Sequence, residues 1–410
     1  MRGITRHKLL GLCLVYLLVT AFALVGWHAM QPRWDPFRAS AIANARFPSL
    51  TYGVHTFLWW DSGSAGLHLD LARLMSFSHV KQTFAWRDVE PQPGIWDWTQ
   101  ADRILDEVER RELRLVIRLG QSPGWARAPG AVAARDAPPE DLARWADFCA
   151  AVAERYRGRV SAYQIWNEPN LSREWGDQRP DPAGYVALLA ACSSAIRASD
   201  PRATLVSAGL APTGNYDDAA LPDDIYLDQM YRNGFQRYID VVGAHAPGYA
   251  APEIGPDDEE AKHRWFTFRR VEDLRKIMIN HGDEARQMAI MEFGYTTDRV
   301  NPAYQWFSVT ERQQAEYLER AYEYAVAHWR PWIGLMTLIY LPDPVWQPAD
   351  EEYWWSILEP DGSGPRPAYI TVANMRKVCG DFEISARASD GPVALGKVRA
   401  PICPDSDPIE

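Results

Sequence analysis

The sequence predicts an α/β protein: a (β/α)8 TIM barrel preceded by one N-terminal transmembrane or signal helix. Three observations lead there. Eight short apolar runs alternate with amphipathic stretches between residues 51 and 340, which is the element order of a parallel barrel. No G-x-G-x-x-G follows the first run, so the usual first-turn signal of a doubly wound nucleotide-binding sheet is missing. Finally, the uncharged stretch Leu9–Trp27 stands just after Arg2, Arg6 and Lys8.

Composition narrows the classes. A chain of 410 residues, 47% hydrophobic and 24% charged, can bury a large core. A net charge of -11 and the lack of a long basic run give no electrostatic footprint for nucleic acid. The count of 18 Trp is high. Indoles fill cores, and their flat faces also stack on the C–H faces of sugars. Trp59, Trp60, Trp86, Trp125, Trp175 and Trp346 follow predicted strand ends, where two or more are expected to line a cleft.

The elements follow in order. Residues 1–28 read as a membrane anchor or signal peptide, because Leu9–Trp27 is long enough to span the hydrocarbon core. The cations before it predict a cytoplasmic start and a domain outside the cytoplasm. Ala21-Phe22-Ala23 resembles a cleavage site, whereas the apolar run continuing to Trp27 favours an anchor. Residues 29–49, with Pro32, Pro36 and Pro48, read as a linker, and residues 50–378 as the barrel. Its strands are expected at 51–55, 79–84, 114–119, 160–166, 204–209, 239–245, 287–292 and 333–340, mostly rich in Val, Ile or Leu as fully buried parallel strands are. Helical spacing marks Ala101, Ile104, Leu105 and Val108. It recurs in Leu142, Trp145, Phe148, Val152 and Tyr156, in Tyr185, Leu188, Leu189, Cys192 and Ile196, and in Leu318, Tyr322 and Ala325. Residues 379–410 read as a tail, irregular or with a short strand pair. Of the five cysteines, Cys13 lies in the apolar segment, and Cys149 and Cys192 read as buried thiols on helix faces. Cys379 and Cys403 could pair in an oxidising compartment. No Cys/His spacing points to zinc, and the Asp257-Asp258-Glu259-Glu260 run lacks EF-hand spacing, so no metal or other cofactor is expected.

Barrel chemistry sits at the C-terminal ends of the strands. Strand four ends in Ile165-Trp166-Asn167-Glu168-Pro169-Asn170 and strand seven in Ile290-Met291-Glu292-Phe293-Gly294-Tyr295. These strands lie across the barrel from one another, so the two carboxylates face each other over the mouth. Two facing carboxyl groups suit cleavage of a glycosidic bond, one attacking while the other donates a proton. The acid then needs a raised pKa, to which the nucleophile's charge contributes.

These segments resemble clan A of the retaining barrel glycosidases, and within it most closely glycoside hydrolase family 39, with family 5 as a neighbour. The resemblance covers residues 50–378 and implies that Glu168 is the acid/base, that Asn167 holds the sugar 2-hydroxyl, and that Glu292 is the nucleophile. His79–Trp98 and the loop Gln121-Ser122-Pro123-Gly124-Trp125-Ala126 resemble family stretches after strands two and three. Two departures stand out. Lys81 takes the place of a common Arg, and a point charge is not interchangeable with a guanidinium fork. Tyr340 stands where strand eight often ends in Trp. His245 and Tyr249 are both candidates for the group beside the nucleophile, and His55, Trp86 and Trp125 complete the expected substrate-binding set. Asp61, Asn215 and Asp343 are further loop polars within reach of hydroxyls.

The expectation is a retaining glycosidase at the cell membrane, or secreted if cleaved after Ala23. It would act on an extracellular or cell-envelope oligo- or polysaccharide outside the cytoplasm, without nucleic acid as a partner. A transglycosylase using the same residues, or a barrel that only binds carbohydrate, are the alternatives; intact Glu168, Asn167 and Glu292 argue against the last.

Overall fold

A computed structural model describes residues 42–131, 136–379 and 382–384. The expected anchor or signal helix with Cys13, residues 29–41 of the linker, the Cys379–Cys403 pairing and the tail beyond residue 384 lie outside the described residues. Among the described residues, no helix is long and apolar enough to cross a membrane.

The eight strands are β1 (Thr51–His55), β2 (His79–Ala85), β3 (Arg114–Gly120), β4 (Ala162–Ile165), β5 (Leu205–Ser207), β6 (Val242–Gly248), β7 (Met288–Tyr295) and β8 (Ile333–Leu338). They pair in parallel in the order β5-β4-β3-β2-β1-β8-β7-β6. A bridge between Val206 and Val241 joins the two ends, helped by the Asp240 amide donating to the Leu205 carbonyl at 2.8 Å. The sheet thus closes into the expected (β/α)8 barrel.

The outer layer comprises α1 (Ala65–Leu74), the short α2 (Trp86–Val89), α3 (Thr99–Arg110), α4 (Leu142–Arg155), α5 (Pro182–Ser199), α6 (Asp223–Arg232), α7 (Val271–Asn280) and α8 (Glu311–His328); after β8 come α9 (Glu351–Trp355) and α10 (Pro367–Asn374). Their starts are written locally. Asp141 caps α4 by accepting the Ala143 amide. Asp181 caps α5, where Pro182 supplies a preset φ at the first turn. Thr310 and Gln313 form a reciprocal capping box on α8. The faces read as apolar are buried: Ala101, Ile104, Leu105 and Val108 on α3, and Trp145, Phe148 and Val152 on α4. A final antiparallel pair, β9 (Lys377–Cys379) with β10 (Phe382–Ile384), follows α10.

Two features differ from the sequence reading. Cys149 on α4 and Cys192 on α5 are not free thiols: they form a disulfide, with Cα atoms 5.4 Å apart. Burial on an apolar helix face looks the same in sequence whether or not a partner 43 residues away faces it. Residues 43–49, read as the end of a linker, belong to the barrel floor. Phe47 packs among Val116, Val206, Ala289, Met291 and Leu335, and its backbone is held by both ends of the Gln287 amide. The Ser49 hydroxyl donates to the Ile333 carbonyl at 2.6 Å.

The ladder around β7 is irregular near its end. The register of β7 shifts against β6 between Ala244 and His245, and against β8 between Ile290 and Phe293. A bulge of this kind re-aims side chains. Met291 stays in the barrel core while the next residue, Glu292, reaches the mouth.

Candidate active site

The acid-bearing turn begins where the β4 pleat stops. Trp166 has φ 70° and Glu168 φ 39°, both left-handed. Such conformations are strained for residues with a Cβ and persist only where the surroundings impose them. Here the Trp166 amide donates to the Leu119 carbonyl at 2.8 Å and the Glu168 amide to the Gly209 carbonyl at 3.0 Å. The Trp166 indole is buried and donates to the Glu174 carbonyl at 2.8 Å. This anchoring places Glu168 against β6, where His245 Nδ1 donates to its Oε1 at 2.8 Å. The close approach requires glycine at 209: a Cβ there would lie 2.1 Å from His245 Cδ2.

Glu292 is gripped from the other side. The buried Lys81 ammonium donates to Glu292 Oε1 at 2.8 Å and to the Met291 carbonyl at 3.1 Å. His55 Nδ1 lies 3.5 Å from the same oxygen, and His245 Nδ1 lies 3.9 Å from Oε2. An oxygen of Glu168, an oxygen of Glu292 and a nitrogen of His245 all fall within 4.8 Å of one another. Carboxyl groups about 5–5.5 Å apart suit double displacement, whereas inversion needs roughly 6.5–9.5 Å to admit a water.

Charge is distributed to match. Burial pushes the Glu292 carboxyl up, but the charge of Lys81 first, then His245 and the His55 hydrogen bond, hold it well below the usual range. Burial likewise raises Glu168; the His245 hydrogen bond and charge and the Arg173 guanidinium outweigh burial and the repulsion from Glu292, and hold it below its ordinary value. Arg173 approaches Glu168 Oε2 at 3.5 Å from a 65% exposed side chain. Burial, with the neighbouring Lys81 charge, brings His55 down to about 3, so it stands neutral beside Glu292. Burial pushes Glu174, close behind Glu168, up to about 8.

Glu168, His245 and Glu292 also form the one cluster of metal-type donors among the described residues. A Lys ammonium already neutralises one of its carboxylates at 2.8 Å, and a dication beside that charge would meet repulsion.

The other expected site residues divide into two groups. Asn167 lies beside Glu168, nearly buried, with its Oδ1 3.4 Å from Gln164 Nε2. Tyr340 meets His55 edge to face, ring centroids 5.4 Å apart. A cleft of ≈ 220 Å³ opens next to them, lined by Phe57, Trp59, Trp60, Trp346, Arg118 and Asp343, among others; Phe57 stacks on His55 at 4.9 Å. Trp60 is 75% exposed there. Trp86, by contrast, is wholly buried, stacked on Phe148 and hydrogen-bonded to Glu90, and Trp125 packs on Trp86 and donates to the Glu90 carbonyl. Trp86 belongs to the packing behind β2 and β3, whereas Trp125 lies against it partly exposed. Of the two candidates on β6 and just beyond it, His245 reaches the carboxylates, while the Tyr249 hydroxyl accepts the His263 amide and its ring joins the cluster of Phe307, Ile339 and Trp355.

Sequence reasoning did not single out Arg118, Arg173 or Gly209. Arg118 carried a signal: it shares a strand face with Val116 in an otherwise apolar run, so it projects into the barrel. Arg173 and Gly209 are ordinary loop residues until the fold is closed.

No family model matches the chain. The sequence is 30% identical over 148 residues to a beta-xylosidase of Geobacillus stearothermophilus, a match covering 32% of this chain and 27% of that protein. Among solved structures it resembles a family 39 glycoside hydrolase from the gut symbiont Bacteroides cellulosilyticus, with TM-score 0.59 and 20% identity over 82% of this chain and 64% of that one. It also resembles a GH10 endoxylanase from a sugarcane soil metagenome, with TM-score 0.55 and 17% identity over 79% and 96%. A GH5_18 protein of Streptomyces cattleya gives TM-score 0.57 and 16% identity over 79% of each chain. The structural likenesses show the fold. The sequence match agrees with the resemblance to clan A, close to family 39, that the strand-four and strand-seven motifs carry.

Proposed function

We propose that this chain is a retaining glycoside hydrolase in which Glu292 is the nucleophile and Glu168 the acid/base. The carrying observation is the pair of carboxylates within 4.8 Å, one held by a buried ammonium and the other by a histidine. Glu292, kept ionised by Lys81, attacks the anomeric carbon while Glu168 gives its proton to the leaving oxygen. Once the glycosyl-enzyme has formed, the Glu292 charge is spent on the new bond, and Glu168 takes a proton from water, which releases the sugar. Asn167, beside Glu168, is placed to hold the sugar 2-hydroxyl, a contact that strengthens as the ring flattens.

The substrate is an extracellular or cell-envelope polysaccharide, and the domain works outside the cytoplasm, tethered by the apolar N-terminal segment. The uncharged Leu9–Trp27 stretch behind three cations supports that location, as does the disulfide between α4 and α5, a bond that persists in oxidising compartments.

The test is a glycan panel assayed with the wild type, Glu168→Gln and Glu292→Ala, with the anomer of the first product followed by proton NMR. Net retention, with near-complete loss in both variants, is expected. An inverted first product, or full turnover in either variant, refutes the assignment. Mass spectrometry of the native N-terminus decides between an anchor and cleavage after Ala23.

A further inference from the structure

We propose that Arg173 is a leaving-side positioning residue. In the free enzyme its guanidinium rests on Glu168, and a sugar entering on the leaving side draws it off onto the sugar's own oxygens. The inference rests on the glycosidase reading and says which group meets the leaving sugar.

The geometry allows little else. His245, 2% exposed, occupies Glu168 Oε1 from the buried side. Oε2 is the oxygen left for proton transfer, and Arg173 is the group at its solvent side, 3.5 Å away and 65% exposed. Any leaving oxygen that takes a proton from Oε2 therefore arrives beside this guanidinium. Arg173 stands on the Ser172–Glu174 turn, directly after the strained turn that carries the acid. Glu168 is its one ion-pair partner within 4.0 Å among the described residues. A contact of 3.5 Å is too long for a strong hydrogen bond, and exposed pairs of this kind contribute little, so sugar hydroxyls can replace it.

The exchange resolves a conflict in the resting site. The first step needs Glu168 protonated, yet Arg173 helps hold it ionised. Six groups face this carboxyl: His245 from β6, Glu292 from β7, Lys81 from β2, Tyr340 from the end of β8, and Arg173 and Glu174 from the β4 loop. Lys81 is buried, Tyr340 is partly buried, and Arg173 is the exposed cation among them. When Arg173 turns to the sugar, the Glu292 charge and burial act on Glu168 with less opposition, and the carboxyl takes a proton from solvent. After the glycosyl-enzyme forms and the leaving sugar departs, Arg173 returns and favours the ionised form that activates water. No oxidation state changes: the bond to Glu292 forms as the glycosidic bond breaks, and the one proton taken up on binding goes to the leaving oxygen.

Two substrates carrying the glycone and linkage that the glycan panel identifies separate the roles: a dinitrophenyl glycoside, whose phenolate leaves without a proton, and a trisaccharide, whose leaving sugar needs one. Arg173→Gln should lower kcat/KM on the trisaccharide at least about tenfold more than on the dinitrophenyl glycoside, mainly through KM, and Arg173→Lys should restore part of it. In 13C-carboxyl NMR, the Glu168 resonance, assigned by its loss in Glu168→Gln, should titrate at higher pH in Arg173→Gln than in wild type. Equal losses on both substrates, or an unmoved Glu168 titration, overturn the proposal. If the wild type turns over neither substrate, the glycosidase reading fails by itself, and the titration still judges the Arg173–Glu168 contact.

Discussion

Lys81→Met tests how Glu292, the proposed nucleophile, is kept charged. The ammonium lies 2.8 Å from Glu292 Oε1 with no exposed surface on its side chain. At an effective dielectric of about 20, unit charges at that separation attract by ~6 kcal/mol. His55 at 3.5 Å and His245 at 3.9 Å remain and recover part of this, and breaking a buried pair typically costs ~3–5 kcal/mol. A net loss of ~3 kcal/mol raises the pH at which Glu292 ionises by about two pH units. Since the nucleophile works only when ionised, the acid limb of kcat/KM moves up by that amount. The variant should lose about a hundredfold on the acid side of the wild-type limb and far less near pH 7. The assay is a pH profile on a dinitrophenyl glycoside, so that Glu168 protonation does not enter, with near-UV circular dichroism as the check on folding. A folded Lys81→Met protein whose acid limb overlays that of wild type would refute the electrostatic account of Glu292.

Gly209→Ala places a methyl carbon 2.1 Å from His245 Cδ2 and 2.2 Å from Nε2; the imidazole must move off Glu168, and trisaccharide kcat/KM should fall about a hundredfold, a loss within twofold showing that the ring does not position the acid. The double variant Cys149→Ser, Cys192→Ser opens a link between residues 43 apart and should cost ~4 kcal/mol by the loop-entropy relation, read by calorimetry beside reduced and oxidised wild type; equal melting of all three would count against the bond. His79 is pushed down to about 3, by burial first. The unfolded chain binds that proton near 6.5 and the native state does not, so stability present above pH 6.5 is lost as pH falls toward 3. Urea midpoints between pH 7.5 and 4 should decline, and His79→Gln should flatten part of the slope; an unaltered slope would remove His79 as a source.

The barrel was readable because its strands are buried on both faces and its helices on one, and those two patterns differ in sequence. The ends of strands were less so, for reasons visible at particular residues. The run 160–166 suggests a longer β4 than Ala162–Ile165, because the backbone turns left-handed at Trp166, a conformation its side chain gives no hint of. The run 204–209 yields only Leu205–Ser207, and Gly209 beyond it passes close against His245. Glu168 and Glu292 stood out because an acidic residue closing an apolar strand has few structural uses. Trp86 looked like a platform for the same reason that it is core: an indole after a strand can face either way, and here Phe148 on α4 takes its face. The Cys149–Cys192 bond and the Arg173 contact depend on which loops and helices become neighbours, which local patterning does not encode.

The Phe47 plug sets how the domain is entered. The polypeptide joins the barrel at the pole opposite the carboxylates, sealing it like a cork before the first strand is laid down. A version of the protein begun at Thr51 would leave that pole open to water beneath Val116 and Leu335. Among the described residues, the segment ahead of the first strand therefore takes up room at the floor and none at the rim that carries Glu168 and Glu292.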